Sequence, residues 1–596
     1  DQTLHWADPE HSGEQLNYCA NHILPGQQPT GYCADHYRGP VPGVPHLHGG
    51  EIPPVIDGGP DSWFTASGDH HGHAYYTMPG VSATANEAVY RYPNMQEAAP
   101  LWFHDHVLGA TRLNVYAGLA GAYPLIDPAL DLPTGLHPVG LQQGNTVEYL
   151  IPMVIQGRSF DTNGQWFFPN IGINPEHPFW IPELEGNATV VNGVTWPFLN
   201  VEPRRHRFLF INGSNARAYE LFITNPVTKV NGPPIWQIGT DGGYLDELVK
   251  IDPNAPKGGL QKLLFMPGER ADVIIDFAGF DGQTLLLRNT GRHPFPKGAP
   301  PQGSTIGQVM VFRVGSGLVA DASYDPATST EPLRPENKKI VRLVDPAAGT
   351  LAAGVTANKT RQLTLNEVIG PGGPLEILVN NTKWDGTQGD GSARDDFTPM
   401  TVGGVTEYFS EFPNEGDTEV WEIVNLTGDA HPIHTHLTQY QLINRQNFNT
   451  NKYGGAYSAA FPGGVYIPAY GPPLNYNTGN PRALGGNPDI TPSLQGPAMP
   501  PALNEAGWKD TAIMYPGQVT RIAVRYAPTD TPKGANGSYP FDPDAKIPAA
   551  DDGHGYVWHC HIIDHEDNEM MRPYRVNAKD VERTYVQGTD GTRADY

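Results

Sequence analysis

Ten of the 22 histidines of this 596-residue chain are gathered into four short segments. They are His46 and His48 in HLH, His104 and His106 in HDH, His431, His434 and His436 in HPIHTH, and His559, His561 and His565 in HCHIIDH. Each segment contains the element His-x-His. Side chains on a β-strand alternate with period two, so both imidazoles of such a pair leave the same face of a sheet. A lone histidine is usually a satisfied core or surface residue. Four pairs in one chain ask instead for strands that present imidazoles in twos, and they point to metal ligation.

The remainder of the chain agrees with a strand-built fold. No segment of convincing length carries the helical period. Short runs rich in Val, Ile, Thr, Tyr and Phe recur between turn signals at 146–155, 205–214, 270–279 and 518–528, the pattern of antiparallel sandwiches or barrels. Gly and Pro number 68 and 59, which suits a loop-rich β protein. With 39% hydrophobic and only 17% charged residues, the chain is too apolar to be disordered. Length alone suggests about four units at roughly 150 residues each. Pro-rich stretches at 127–138 and 316–360 instead divide it into three, and 451–505, without periodicity, reads as an extended surface loop of the last.

Several function classes fall away. The formal charge is 38 − 63 = −25, with no Lys/Arg cluster, so nucleic acid is a poor partner. No run of 18 apolar residues exists to make a transmembrane helix. The first residues, DQTLHWADPEHSGEQ, have neither a basic nor an apolar signal region. Of three cysteines, Cys19 and Cys33 share one polar stretch and form either a small disulfide loop, which favours an oxidising compartment, or two free thiols.

The third cysteine, Cys560, stands between His559 and His561, with His565 five residues on and Met570 five further. Cys, two His and a weak axial Met make the trigonal blue-copper set, the second imidazole being His431. Structural zinc prefers several Cys or C-x₂-C and H-x₃-H spacings, which are absent. A nucleophilic Cys needs one activating His and leaves the other pairs unexplained. Eight histidines then remain, and four His-x-His pairs suit a three-copper cluster.

The motifs HLHGGE, LWFHDH, HPIHTHL and HCHIIDHEDNEMMRP, in this order, resemble the ligand segments of the multicopper oxidases. The wording is most similar to the branch of spore-coat laccases, bilirubin oxidases and phenoxazinone synthases. The likeness runs from about 41 to 128, through 190–221 and 263–277, and resumes at 361–446 and 506–577. It implies an all-β fold of three cupredoxin-like Greek-key sandwiches, at 1–128, 139–315 and 361–596. The first and third share the cluster, and the middle one, lacking ligands, is a spacer. It implies four copper ions: type 1 on His431, Cys560, His565 and axial Met570, type 2 on His46 and His434, and the type 3 pair on His48, His104, His106, His436, His559 and His561. Met571 reads as a core residue. Asp57 and Glu566 match positions that deliver protons to O₂ in this branch, and Asp105 is a candidate to orient an imidazole.

Only 45 residues precede His46, and they read as loop. The resemblance therefore leads to the expectation that the first sandwich lacks its opening strands and that a separate N-terminal piece completes it. His70, His71 and His73 form a further cluster, read as a solvated loop ahead of an accessory metal site. The reading as a whole is an O₂-reducing copper oxidase of phenols, aromatic amines or tetrapyrroles, secreted, periplasmic or on the cell surface. The alternatives are a metallo-oxidase of Mn(II), Fe(II) or Cu(I), and a non-enzymatic blue-copper carrier.

Overall fold

The structure, a computed structural model, describes residues 41–585 apart from 82, 139, 142–147, 170–179, 318, 477–479, 548–551 and 553–554. Expectations about Cys19, Cys33 and the segment 1–40 lie outside the described residues. The four strand-like runs are strands: Tyr149–Arg158, Arg205–Asn212, Arg270–Asp276 and Gln518–Arg525. The fold is all-β, with short helices at its loops.

In the middle of the chain, Arg270–Asp276 pairs antiparallel with Arg205–Asn212, which runs parallel to Tyr149–Arg158. The RHRFLFIN run is buried throughout, because both of its faces are covered. Phe208 and Phe210 face a five-stranded sheet that carries Leu221, Leu285, Leu287 and Phe312. The alternate residues Leu209 and Ile211, with Val154, pack on Trp102 of the first region. Burying each such side chain stabilises by about 1.5–3 kcal/mol. The middle region is thereby bonded to the first through its second face.

The first region presents a three-stranded antiparallel sheet, Pro45–His48, Pro100–Asp105 and Ala120–Pro124. Its register sets His46 opposite His104. The third region packs two sheets. One contains Lys359–Gly370, Thr418–Asn425, Gln518–Arg525 and Tyr440–Phe448. The other runs in the order Thr511–Met514, His431–Thr435, Tyr556–Cys560 and Met571–Tyr574. Between them lie Leu363, Leu365, Trp421, Ile423, Ile433, Trp558 and Cys560.

Two stretches read as irregular are built. Within 451–505 there is a helix, Thr450–Ala460, capped by the Asn449 side chain, which accepts from Lys452 N. Its Tyr453 and Tyr457, with Phe461 just beyond, recur every four residues and pack with Val424, Phe448 and Val519. The Gly454–Gly455 pair between the aromatics hides that stripe. Within 316–360, Ile340, Leu343 and Val344 pack against Val420, Ile443 and Trp508, so this stretch docks on the third region. Among the described residues no helix is long and apolar enough to cross a membrane.

Candidate metal centres

The strand pair His431–Thr435 and Tyr556–Cys560 sorts the ligands. Its register places Ile433 opposite Cys560 and His434 opposite His559. By alternation, His431, Ile433 and Cys560 share one face, and His434, His436 and His559 the other. On the first face Cys560 Sγ lies 3.5 Å from His431 Nδ1 and 3.7 Å from His565 Nδ1, and the two nitrogens are 3.2 Å apart. His565 sits on the short helix Ile563–Glu566 that turns back over the strand. Met570 is fully buried in the same core, and its carbonyl accepts from Cys560 N at 3.0 Å. Met571 opposes His559 and packs with Leu108, Trp384 and Val557, as a core methionine does.

On the other face the eight remaining histidines converge, all buried. His561 Nε2 lies 3.2 Å from His48 Nδ1 and 3.3 Å from His104 Nε2, and those two are 3.4 Å apart. His559 Nε2 lies 3.3 Å from His106 Nε2 and 3.2 Å from His436 Nε2. The buried Nε2 atoms of His46 and His434 have no hydrogen-bond partner. Oxygens fix the opposite ring nitrogens. His104 Nδ1 donates to Asp105 O, His559 Nδ1 to Cys560 O, His46 Nδ1 to Asp57 O and His434 Nδ1 to Asp510 O, at 2.6–3.1 Å. Each donation leaves the lone pair on the nitrogen that points inward.

Burial and neighbouring imidazoles hold His46, His106, His436 and His561 well below the usual imidazole range. Burial pushes His104 and His565 down to about 3. These rings are neutral and free to ligate. Imidazole–metal distances of about 2.0–2.1 Å put three ligating nitrogens in a plane roughly 3.5 Å apart, close to the spacings in both triplets. Burial also pushes the Cys560 thiol well up, so a bound cation is what would hold it as thiolate. One thiol with two imidazoles and eight further imidazoles are a donor set that fits copper.

Carboxylates frame the cluster. Glu566 is buried, with Oε1 3.5 Å from His106 Nε2 and Oε2 3.3 Å from His559 Nδ1. Asp57 accepts from His436 Nδ1 at 2.6 Å, and burial raises its carboxyl well above the ordinary range. Asp105 acts differently from its sequence reading. Its side chain accepts from Val44 N and Val107 N, and its backbone carbonyl orients His104. Asp567 accepts from Gly109 N, Arg112 N and Arg112 Nη1 at 2.9–3.0 Å, tying the HDH segment to the HCH segment. The middle region closes in as well. Gly268 has φ +88, and a Cβ there would stand 2.7 Å from His561 Cγ.

Three groups that the sequence reading missed stand on the outer side of the Cys560 set. Asp429 Oδ1 lies 3.4 Å from His431 Nε2, and Glu183 Oε1 lies 3.8 Å from His565 Nε2. Glu183 Oε2 is 3.2 Å from His293 Nε2. Burial and Asp429 raise the Glu183 carboxyl well above its usual range; against burial, His431 and His565 hold Asp429 low. Only the adjacency of Asp429 to His431 was available as a signal. His71 stacks on Tyr75, and His73 Nε2 donates to Glu407 at 2.7 Å, so these rings are engaged in packing the loop.

A family model described as multicopper oxidase matches residues 385–533. Multicopper oxidase LPR1 homolog 1 of Oryza sativa subsp. japonica is 35% identical, over 94% of this chain and 78% of its own length. The laccase of Bacillus subtilis (strain 168) is 31% identical, over 94% of this chain and 84% of its own. Among solved structures, the McoA multicopper oxidase of the hyperthermophile Aquifex aeolicus is similar in fold. The TM-score is 0.55 over 90% of this chain and 85% of that one, at 24% identity.

Proposed function

The chain belongs to the multicopper oxidases, copper oxidoreductases that use O₂, and from that premise we propose that it couples one-electron oxidation of a small reductant to four-electron reduction of O₂ to water. We assign type 1 copper to His431, Cys560, His565 and Met570, type 2 to His46 and His434, and the type 3 pair to the other six histidines, four ions in all. When bound, copper supplies a one-electron acceptor at the first set and the site of O₂ reduction at the second. We read the chain as three cupredoxin units, at 1–128, 139–315 and 361–596, with the first and third holding the cluster.

The observation that carries this reading is the sharing of one strand. His559 and His561 flank Cys560 covalently and contact the two histidine triplets, so a single residue of backbone joins the two sets. A carrier protein would have no use for the eight further imidazoles. Reduction of O₂ to two waters takes up four protons. Asp57, which holds a proton against the bulk, and Glu566, beside His106 and His559, are the groups that pass them.

The reductants proposed first are phenols, aromatic amines and tetrapyrroles, whose oxidation releases protons that the Asp429 carboxylate beside His431 can accept. A second reading, oxidation of Fe(II) or Mn(II), is favoured by the same two carboxylates and His293, oxygen and nitrogen donors suited to such ions. Cu(I) fits less well, because soft thioethers are scarce among ten methionines. A secreted or cell-surface location belongs to the same proposal.

The test is copper content and visible absorption, followed by O₂ uptake. Four coppers with an intense thiolate band are expected; one copper would leave an electron carrier. Glu183→Gln with Asp429→Asn decides the substrate. A selective rise in KM for Fe(II) or Mn(II), with phenol turnover kept, establishes the metal reading. The reverse pattern establishes the aromatic one.

A further inference from the structure

The cluster contains a repeated arrangement that the ligand list does not reveal. The imidazoles of His46 and His436 stack with centroids 3.7 Å apart and planes at 14°. Those of His48 and His434 stack at 3.6 Å and 10°. Each stack joins one ring from the HLH strand to one from the HTH strand, and under the present assignment joins a type 2 ligand to a type 3 ligand. One aspartate grips the outer nitrogens of each stack, using both its backbone and its side chain. Asp57 takes His46 Nδ1 on its carbonyl and His436 Nδ1 on its carboxylate, both at 2.6 Å. Asp510 takes His434 Nδ1 on its carbonyl and His48 Nε2 on its carboxylate, both at 2.9 Å.

The two grips differ in what stands behind them. Arg270, on a strand of the middle region, is fully buried and donates twice to Asp510, Nη1 to Oδ1 at 2.7 Å and Nη2 to Oδ2 at 2.5 Å. The fork of a guanidinium on a carboxylate fixes the carboxylate plane as well as its position. Gly49 makes room for it: at φ +87, a Cβ there would lie 2.7 Å from Arg270 Nη2 and 2.8 Å from Asp510 Oδ2. The ligand strand therefore passes this ion pair at the closest approach a backbone allows. Asp241 holds the other side of Arg270, accepting from its backbone N at 2.8 Å.

We infer that Asp510 is a positioning residue of the cluster, the counterpart of Asp57, and that Arg270 sets it, so that the middle region takes part in building a site to which it gives no ligand. Asp510 fixes which nitrogen each of two rings turns inward, Nδ1 for His48 and Nε2 for His434. Loss of that grip releases one ring of each kind while leaving the Cys560 set untouched. Outer partners of ligating histidines are worth about 10- to 100-fold in metal affinity.

This inference rests on the assignment proposed above, and the experiment separates the two. Wild-type holoprotein is counted for copper and examined by electron paramagnetic resonance and visible absorption. A wild type without a type 2 signal defeats the assignment itself. Given that signal, Asp510→Asn is expected to lower type 2 copper affinity by about 10- to 100-fold, altering or losing the signal while the thiolate band stays. A full copper complement with an unchanged type 2 spectrum overturns the inference. Should Asp510→Asn fail to fold, Arg270→Lys, which keeps the charge and loses the fork, is read the same way. A shifted type 2 spectrum supports the inference, and a native one overturns it.

Discussion

Asp57 and Asp510 hold stacked imidazole pairs in nearly the same way, yet the carboxyl of one is pushed well above the ordinary range and that of the other is held well below it. The ion-pair contacts of Asp57 among the described residues are the imidazoles of His46 and His436. With burial unopposed, its carboxyl rises well above the ordinary range. Asp510 is equally buried, but Arg270 and His48 overcome burial and hold it well below. Geometry at these positions comes from the acceptor oxygens, and charge from the presence or absence of a cation behind them. A single arginine from the middle region thus separates the proton affinities of two similar carboxylates.

The sharpest way to break this comparison is Asp57→Asn, which keeps an acceptor for His436 and removes the proton. O₂ consumption is expected to fall by about 10²–10⁴-fold while copper content stays full. If Asp57→Asn and Asp510→Asn have the same phenotype, the division of labour is wrong.

Next in size is Arg270→Met. Removing one partner of a buried ion pair is expected to destabilise by about 3–5 kcal/mol in denaturant titration. Adding Asp510→Asn to it should recover part of that loss, a coupling measured by the double-mutant cycle.

Glu51 tests the rule away from the ligands. It is buried, makes no salt bridge among the described residues, and burial pushes its carboxyl from 4.5 to about 8. The folded state therefore keeps a proton that the unfolded state loses, and stability falls as pH rises from about 4.5 to about 8. Glu51→Gln should melt with the wild type near the lower end of that window and above it at the upper end, by at most a few kcal/mol. Equal melting curves across the window would refute this.

The smallest effect sharpens the comparison. Thr511 Oγ1 lies 3.2 Å from His48 Nε2 and 3.3 Å from His434 Nδ1, an extra contact on the Asp510 side. Thr511→Val is expected to lose about 1 kcal/mol in thermal unfolding and to leave turnover within a few-fold.

Much of this was legible in the sequence because it is local. His-x-His on a strand needs only the pleat to aim both rings, and the four hydrophobic runs became strands for the same reason. Glu566 lies within a ligand motif and Asp57 six residues after another, and both reach the cluster. Asp510 and Arg270 carried no such mark. Each is one charge among charged neighbours, Asp510 in WKDT just before a strand and Arg270 in GERADV at the start of another, and only the packing of the middle region on the third makes them a pair. Glu183 was hidden likewise, since its partners His293, Asp429 and His565 come from three distant segments. The helix at 450–460 escaped because its stripe is made of tyrosines interrupted by glycines.

The strand Tyr556–Cys560 carries one further consequence. Cys560 leaves one side of it, while His559 and His561 face the cluster on the other. The spacing between the two centres is then set by the backbone on either side of one residue and has no dial. Substitutions around either centre can tune it, but an inserted or deleted residue in this stretch would turn every later side chain to the opposite side and exchange the addresses of thiol and imidazole. Changes in chain length are tolerable only in the loops, so this molecule can diversify what it oxidises far more freely than how its two centres are wired.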